Sequence, residues 1–191
     1  MEIAGDLKVL LKKVCSELRR NHLHFCLAGG WAVSTIGITR TTMDIDILIV
    51  LDENIKRKVV SILENTFNLI QSHEKEMKFK SITIWRNIVS LKGKNEPYML
   101  DLLRADNDYL KTVIERRIEI DYEDTIIPLI SIEDLIVIKL ASFRKQDQVD
   151  IENLIQSGAA IDWGYLENTI KKSNLDWSFI EQIKSMNQPV N

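Results

Sequence analysis

The fold of this chain is best worked out from residues 43–51, which read Met43-Asp44-Ile45-Asp46-Ile47-Leu48-Ile49-Val50-Leu51. These residues favour a β-strand and are apolar except at Asp44 and Asp46, so they predict a buried strand. Side chains two positions apart on a strand point to the same face, so the two carboxylates project together. Burying like charges side by side is costly unless a cation neutralises them, and carboxylate oxygens suit a hard ion such as Mg²⁺. Two solvated aspartates near a strand start are the simpler alternative.

Two further segments carry residues that fit such a site. Residues 24–28 predict a short buried strand that ends at Gly29-Gly30, where a short helix over 31–36 begins. Glycines allow the backbone to approach a ligand closely, and a helix N-terminus favours phosphate, although a tight turn explains a glycine pair equally well. Asp101 lies inside the apolar strand predicted over 98–103. If that strand lies beside 43–51, three carboxylates converge and can hold two metal ions about 3.5–4 Å apart. A paired or capping aspartate is the alternative.

The remaining pattern predicts an α/β (α+β) fold with a small mixed β-sheet flanked by helices and a helical C-terminal part. We expect residues 1–130 to form the core and residues 131–191 a helical subdomain packed on it. The predicted helices are 5–21, 54–65, 107–116, 131–145, 148–157, 162–173 and 176–186. Additional strands are predicted at 81–85, 88–92, 117–121 and 125–128, the last two as a hairpin.

The combination of motifs is more specific than its parts. Gly29-Gly30, then Arg40-Thr41-Thr42-Met43-Asp44-Ile45-Asp46, then the later Asp101 resembles the signature of the DNA polymerase beta nucleotidyltransferase superfamily. The resemblance spans roughly residues 25–155. It is strongest to small prokaryotic members such as AbiEii-type toxins, and looser to aminoglycoside and lincosamide nucleotidyltransferases. The resemblance implies the nucleotidyltransferase fold.

The resemblance also implies a role for each matching residue. Asp44 and Asp46 match the metal-binding pair, and Asp101 matches the third carboxylate, which would bind the catalytic metal and could accept the acceptor's proton. Gly29 and Gly30 match the pair that cradles the triphosphate, with glycine where many members carry serine at the second position. Arg40 could meet phosphate or could be an ordinary surface arginine.

Lys139 lies on the apolar stripe of the helix predicted over 131–145, where a lysine needs a partner or a ligand. The family pattern has a lysine here, followed by the run that this chain carries as Arg144-Lys145-Gln146-Asp147-Gln148-Val149-Asp150. Two interpretations remain open. Lys139 binds the nucleotide phosphates, or it forms a buried pair with Asp150 that docks two helices. Asp147 is expected to be a helix N-cap.

Composition narrows the class of protein. The 191 residues carry a formal net charge of −3, which argues against a basic nucleic-acid coat but leaves a local basic groove possible. Neither a signal peptide nor a membrane-spanning run is predicted, so we expect a cytoplasmic protein with no membrane partner. Cys15 and Cys26 lie among apolar residues and are expected to be buried free thiols.

The resulting hypothesis is a Mg²⁺-dependent enzyme that moves a nucleoside monophosphate from an NTP, such as ATP, to an acceptor hydroxyl. The acceptor could be tRNA, a protein or a small molecule. A basic groove beside the site would favour RNA, whereas an acidic one would favour a cationic drug. The alternative is a non-catalytic nucleotidyltransferase-like module of a toxin–antitoxin pair, with a cognate toxin or antitoxin as its partner.

Overall fold

The computed structural model describes residues 5–38, 42–73, 75–79 and 82–186. In this part of the chain, helices and strands are interspersed as far as residue 129, and helices alone follow. The helices are α1 Gly5–Arg20, α2 Gly29–Thr35, α3 Glu53–Thr66, α4 Asp108–Glu115, α5 Ile132–Ser142, α6 Lys145–Gln156, α7 Trp163–Lys172 and α8 Ser178–Met186. The strands are β1 Phe25–Leu27, β2 Asp44–Ile49, β3 Phe67–Ser72, β4 Met77–Phe79, β5 Ile82–Leu91, β6 Tyr98–Arg104, β7 Ile118–Tyr122 and β8 Thr125–Leu129.

All eight described strands belong to one mixed sheet. Its order is β3-β5-β6-β2-β1-β8-β7, and β4 pairs with β5 outside that path. The β2–β6 and β1–β8 pairs are parallel, and the other pairs are antiparallel. The sheet and its helices confirm the predicted α/β fold. The strand with the two aspartates lies in the middle of the sheet, between β6 and β1.

Local sequence explains where several helices begin. Asp52, Asn107 and Asp162 each precede a helix, and each side chain accepts a hydrogen bond from a backbone N–H in the first turn. This satisfies a donor that the helix itself cannot pair. Helix α1 forms because its leucines recur at helical spacing, and that face is buried in the core.

The structure corrects the predicted strands. The two strands predicted at 81–85 and 88–92 are a single strand, β5, which runs without a break through Arg86 and Asn87. The polar pair can lie inside a strand because Arg86 bonds Asp101 and the buried Asn87 donates to the carbonyl of Trp85. Strands β3 and β4 were not predicted. β3 follows α3 with no turn residue between them, and both β3 and β4 pair only with β5.

The boundary between α5 and α6 also differs from the prediction. Helix α5 ends at Ser142 rather than at 145, because Phe143 takes a left-handed conformation with φ of 48°. Arg144 is the N-cap of α6, and Asp147 caps from the third position by accepting from the backbone N–H of Arg144 at 3.1 Å. This early ending turns Arg144 and Ser142 towards the cleft described below.

A buried carboxylate joins α5 to its neighbours on both sides in the sequence. Asp134 is fully buried and accepts hydrogen bonds from Tyr109 and Arg116 in the α4 region, from Ser131 and from Tyr165 on α7. Charge-assisted bonds of this number can compensate the cost of burying the charge. The α4 region and the C-terminal helices are therefore tied together, while the division at residue 130 stays a prediction.

Both cysteines are buried free thiols, as predicted, and burial raises the pKa of each to about 12. Across the described helices, none is both long enough and apolar enough to span a membrane.

Candidate active site

Three aspartates converge on one face of the sheet. Asp46 on β2 lies directly beside Asp101 on the parallel strand β6, and Asp44 is one same-face step earlier on β2. One carboxylate oxygen from each residue lies within 4.8 Å of those from the other two. Asp101 is buried, whereas Asp44 and Asp46 are partly exposed. An all-oxygen set this compact is the kind of site that binds a hard divalent cation.

Each of two carboxylates is oriented by a neighbouring side chain. The hydroxyl of Thr42 donates to Oδ1 of Asp44 at 2.7 Å. Arg86, directly opposite Asp101 in the antiparallel β5–β6 pair, donates from Nε and Nη2 to the two oxygens of Asp101 at 2.8 and 2.6 Å. These hydrogen bonds raise the pKa of Arg86, burial opposes the rise, and the charges of Asp44 and Asp46 add to it. Arg86 therefore belongs electrostatically to the carboxylate cluster.

The glycine pair lies next to the same cluster. The backbone N–H of Ala28 donates to the carbonyl of Asp46 at 2.9 Å, which brings the end of β1 against β2. Gly29 has a positive φ of 60°, and a β-carbon at this position would overlap the carboxylate of Asp46. Both the conformation and the space therefore require glycine at residue 29. Both glycines line the cleft described below.

The loop between α5 and α6 supplies the opposite wall. Lys139 is 5% exposed, and its Nζ lies 2.6 Å from Oδ2 of Asp150 and 3.6 Å from Oδ1 of Asp147. Asp147 also accepts from Arg144 Nε at 2.7 Å and from the hydroxyl of Ser142 at 2.5 Å. Burial raises the pKa of Asp147, but hydrogen bonds from Arg144 and Ser142 outweigh it and lower the value to about 2. The Asp147 carboxylate thus stays charged and holds the side chain of Arg144.

A cleft of about 480 Å³ connects these parts. It is lined by the three aspartates, the glycine pair, Arg86, Lys139 and Arg144. Lys78, Ser142, Asp147 and apolar residues from β4, β5, β6 and α5 complete the lining. The hydrogen bonds to Asp147 raise the pKa of Arg144, burial opposes the rise, and the charges of Asp46 and Asp44 contribute to it, so Arg144 lies in the electrostatic field of the cluster from across the cleft.

The structure brings together all the predicted site residues that it describes. The aspartates, Gly29, Gly30 and Lys139 line one cleft, and Arg40 lies outside the described residues. The Lys139–Asp150 pair of the second interpretation is present, while the phosphate role of Lys139 stays a prediction. Sequence reasoning missed Arg86 as a site residue. Its signal was an arginine in an apolar β pattern, which was interpreted as a break between two strands.

Comparisons with known proteins identify the family and the fold of the chain. The model of a family described as "Nucleotidyltransferase of unknown function (DUF6036)" matches residues 6–188. No curated protein sequence matches the chain.

Several solved structures have a similar fold at low sequence identity. An antigenic nucleotidyltransferase-like protein from Paracoccidioides brasiliensis is 16% identical, with a TM-score of 0.57 over 95% of this chain and 94% of that one. The antibiotic-resistance factor ANT(2'')-Ia is 13% identical, with a TM-score of 0.55 over 95% of this chain and 100% of its own. The lincosamide antibiotic adenylyltransferase LnuA, bound to lincomycin, is 22% identical, with a TM-score of 0.50 over 82% and 99%. At these identities the likeness is one of fold.

Proposed function

Because the chain belongs to this nucleotidyltransferase family, we propose that it transfers a nucleoside monophosphate from an NTP to an acceptor hydroxyl. The observation that carries the proposal is the convergence of Asp44, Asp46 and Asp101 within 4.8 Å at the floor of an open cleft. Three carboxylates this close repel one another unless a cation neutralises them, and their oxygens are suitable ligands for a divalent cation.

The residues of the site are proposed to have separate roles in the reaction. Bound Mg²⁺, held by Asp44, Asp46 and Asp101, would neutralise phosphate charge and stabilise the charge that develops during transfer. The triphosphate is proposed to lie over Gly29-Gly30, next to the carboxylate of Asp46. Asp101 accepts the proton of the acceptor hydroxyl, the oxygen attacks the α-phosphorus, and pyrophosphate leaves. Arg40 and Lys139 are proposed to contact the phosphates. Catalysis then consists mainly of positioning and electrostatic stabilisation.

The cleft favours a small-molecule acceptor over RNA. Its volume of about 480 Å³ is in the range of sites for small ligands, roughly 300–1,000 Å³. Among the described residues, four cations line the cleft, and three of them, Arg86, Lys139 and Arg144, already form ion pairs with carboxylates, with Lys78 as the fourth. The described lining therefore lacks the row of several available cations that would follow an RNA backbone.

An apolar row on the sheet supports the same conclusion. Met77, Ile84 and Leu103 are in register across β4, β5 and β6, on the face of Asp101 and one same-face step along the strands. We propose that this row contacts an apolar part of the acceptor. The finer placement among AbiEii-like enzymes and a partner in a toxin–antitoxin pair stay predictions.

The first test is transfer of label from each α-³²P NTP in the presence of Mg²⁺ and a cell extract. The Asp44→Asn/Asp46→Asn variant is the negative comparison, and Asp121→Asn on the exposed strand β7 is the matched control. We expect label transfer by the wild type and the control only. The size of the labelled product identifies the acceptor as a small molecule, a protein or RNA. Mg²⁺-dependent nucleotide binding without any transfer would instead favour the non-catalytic alternative.

A further inference from the structure

Arg86 forms a two-pronged ion pair with the most buried carboxylate of the cluster. The contacts are Nε to Oδ1 at 2.8 Å and Nη2 to Oδ2 at 2.6 Å. We propose that Arg86 is a positioning residue that acts as a resident counter-cation: it fixes the orientation of Asp101 and limits how tightly the carboxylate cluster binds a divalent cation. The proposal rests on the metal-dependent function proposed above.

The strand register explains why an arginine performs this task. Arg86 and Asp101 are directly opposite each other in the β5–β6 pair, so their β-carbons are close and the side chains meet on the site face. The planar guanidinium matches both oxygens of a carboxylate, which a lysine ammonium cannot do. The Asp101 side chain is 4% exposed and that of Arg86 is 32% exposed. The guanidinium therefore reaches the buried carboxylate from the solvent side.

The charges of the cluster give Arg86 a second effect. Three carboxylates within 4.8 Å repel one another, and Arg86 is a cation in direct contact with one of them, Asp101. A carboxylate oxygen has more than one lone pair, so Asp101 can keep the arginine bonds and still ligate a metal. The positive charge of Arg86 nevertheless repels an incoming cation. Its removal should strengthen metal binding while leaving Asp101 less well oriented.

This pair of opposite effects distinguishes a positioning role from a purely structural one. A residue that only supported the fold would weaken metal binding when removed, because the carboxylates would lose their arrangement. Removal of a resident counter-cation should instead strengthen metal binding. Replacing arginine by lysine separates the two contributions, since lysine restores the charge but not the two-pronged geometry.

The experiment is a Mn²⁺ titration, followed by electron paramagnetic resonance, of the full chain without nucleotide. The variants are Arg86→Met, Arg86→Gln and Arg86→Lys, with Arg104→Met as the matched control. Arg104 lies on β6, three residues after Asp101, and it pairs with Glu76 away from the cluster. Circular dichroism melting curves are recorded for each variant in EDTA and in saturating Mg²⁺. The glutamine variant retains a donor and serves if the methionine variant does not fold.

We expect Arg86→Met and Arg86→Gln to bind Mn²⁺ about tenfold more tightly than the wild type, because one nearby positive charge is lost. Their melting temperature should fall in EDTA and recover in Mg²⁺, which replaces the missing cation. Arg86→Lys should bind Mn²⁺ with nearly the wild-type affinity, yet transfer nucleotide more slowly at saturating Mg²⁺. Arg104→Met should bind Mn²⁺ as the wild type does.

Unchanged or weaker Mn²⁺ binding by folded Arg86→Met and Arg86→Gln would overturn the inference while leaving the proposed function intact. A wild-type protein that binds no Mn²⁺ would remove the metal site itself, and with it both proposals. The titration therefore separates failure of the Arg86 role from failure of the proposed function.

Discussion

The Nζ of Lys139 on α5 lies 2.6 Å from Oδ2 of Asp150 on α6, and both side chains are almost completely buried. A buried ion pair of this kind can be exchanged for apolar residues at little cost, but removal of one partner leaves an uncompensated charge. The pair therefore holds α5 against α6 only while both members are present.

We expect Lys139→Met to lower the free energy of unfolding by about 3–5 kcal/mol, measured by urea denaturation. The double variant Lys139→Met/Asp150→Leu should regain most of that loss, because no buried charge is left alone. Lys171→Met is the control, since Lys171 forms an exposed pair with Glu167 that contributes little to stability. A single variant as stable as the control would contradict a docking role.

The same double variant tests whether Lys139 binds phosphate. If Lys139 contacts a phosphate, the folded double variant should bind Mg²⁺·NTP at least about tenfold more weakly than the wild type, because a cation near that phosphate is lost. Isothermal titration measures this affinity. Wild-type affinity in the stable double variant would assign Lys139 to helix docking alone.

Gly29→Ala should disable the site through its contact with Asp46. The substitution strains a backbone with φ of 60° and drives a β-carbon into the Asp46 carboxylate. Gly158→Ala is the matched control, because Gly158 also has a positive φ, of 77°, but its β-carbon would meet open space. Both variants carry the backbone cost of about 1–2 kcal/mol, and only Gly29→Ala should also lose Mn²⁺ binding. Equal Mn²⁺ affinity in the two variants would rule out the steric role of residue 29.

Asp101→Ala should reduce the rate of nucleotide transfer by about 10³-fold or more, because it removes both a metal ligand and the proposed proton acceptor. The fold should remain, since Arg86 is partly exposed and water can solvate it. Steady-state transfer assays and a far-ultraviolet spectrum provide the two measurements. Activity retained within a few-fold of the wild type would refute the assignment.

Stability at acid pH should depend on Asp147. Its pKa is about 2 in the folded protein, below the usual value near 3.8, so the carboxylate stabilises the fold fully above about pH 4. The contribution, about 2 kcal/mol, is lost as the pH falls from about 4 through 2. Urea denaturation at pH 7, 4 and 2.5 should give a smaller acid-induced loss for Asp147→Asn than for the wild type. Parallel pH dependences would show that Asp147 is not selectively stabilised as the anion.

The sequence was sufficient to predict the elements whose pattern of apolar and polar side chains repeats over neighbouring residues. The alternation of Asp44 and Asp46 within an apolar run was sufficient to identify β2, and the leucine spacing was sufficient for α1. The hairpin of β7 and β8 also followed from local pattern. These elements depend on residues near one another in the chain, so their periodicity is visible without knowledge of the fold.

The missed features depend on contacts between distant residues. Arg86 looked like the end of a strand because its partner, Asp101, lies on the next strand, and no local pattern reveals that register. Strand β3 was not predicted because it begins at Phe67, directly after the last residue of α3, with no glycine or proline to mark the boundary. Strand β5 was thus misinterpreted at Arg86, a residue whose position is explained by the candidate site and not by packing of the core.

The sheet order also has a consequence for how the protein is made. β1 pairs with β2 on one side and with β8 on the other, so strands near residues 26 and 127 are neighbours. The carboxylate cluster requires β6, which is synthesised after β1 and β2 and before β8. A ribosome must therefore release the chain past residue 104 before a nascent metal site can exist, and past residue 129 before the edge of β1 is covered. Synthesis that pauses between these points would present a chain with an assembled carboxylate cluster and an open, aggregation-prone strand edge beside it.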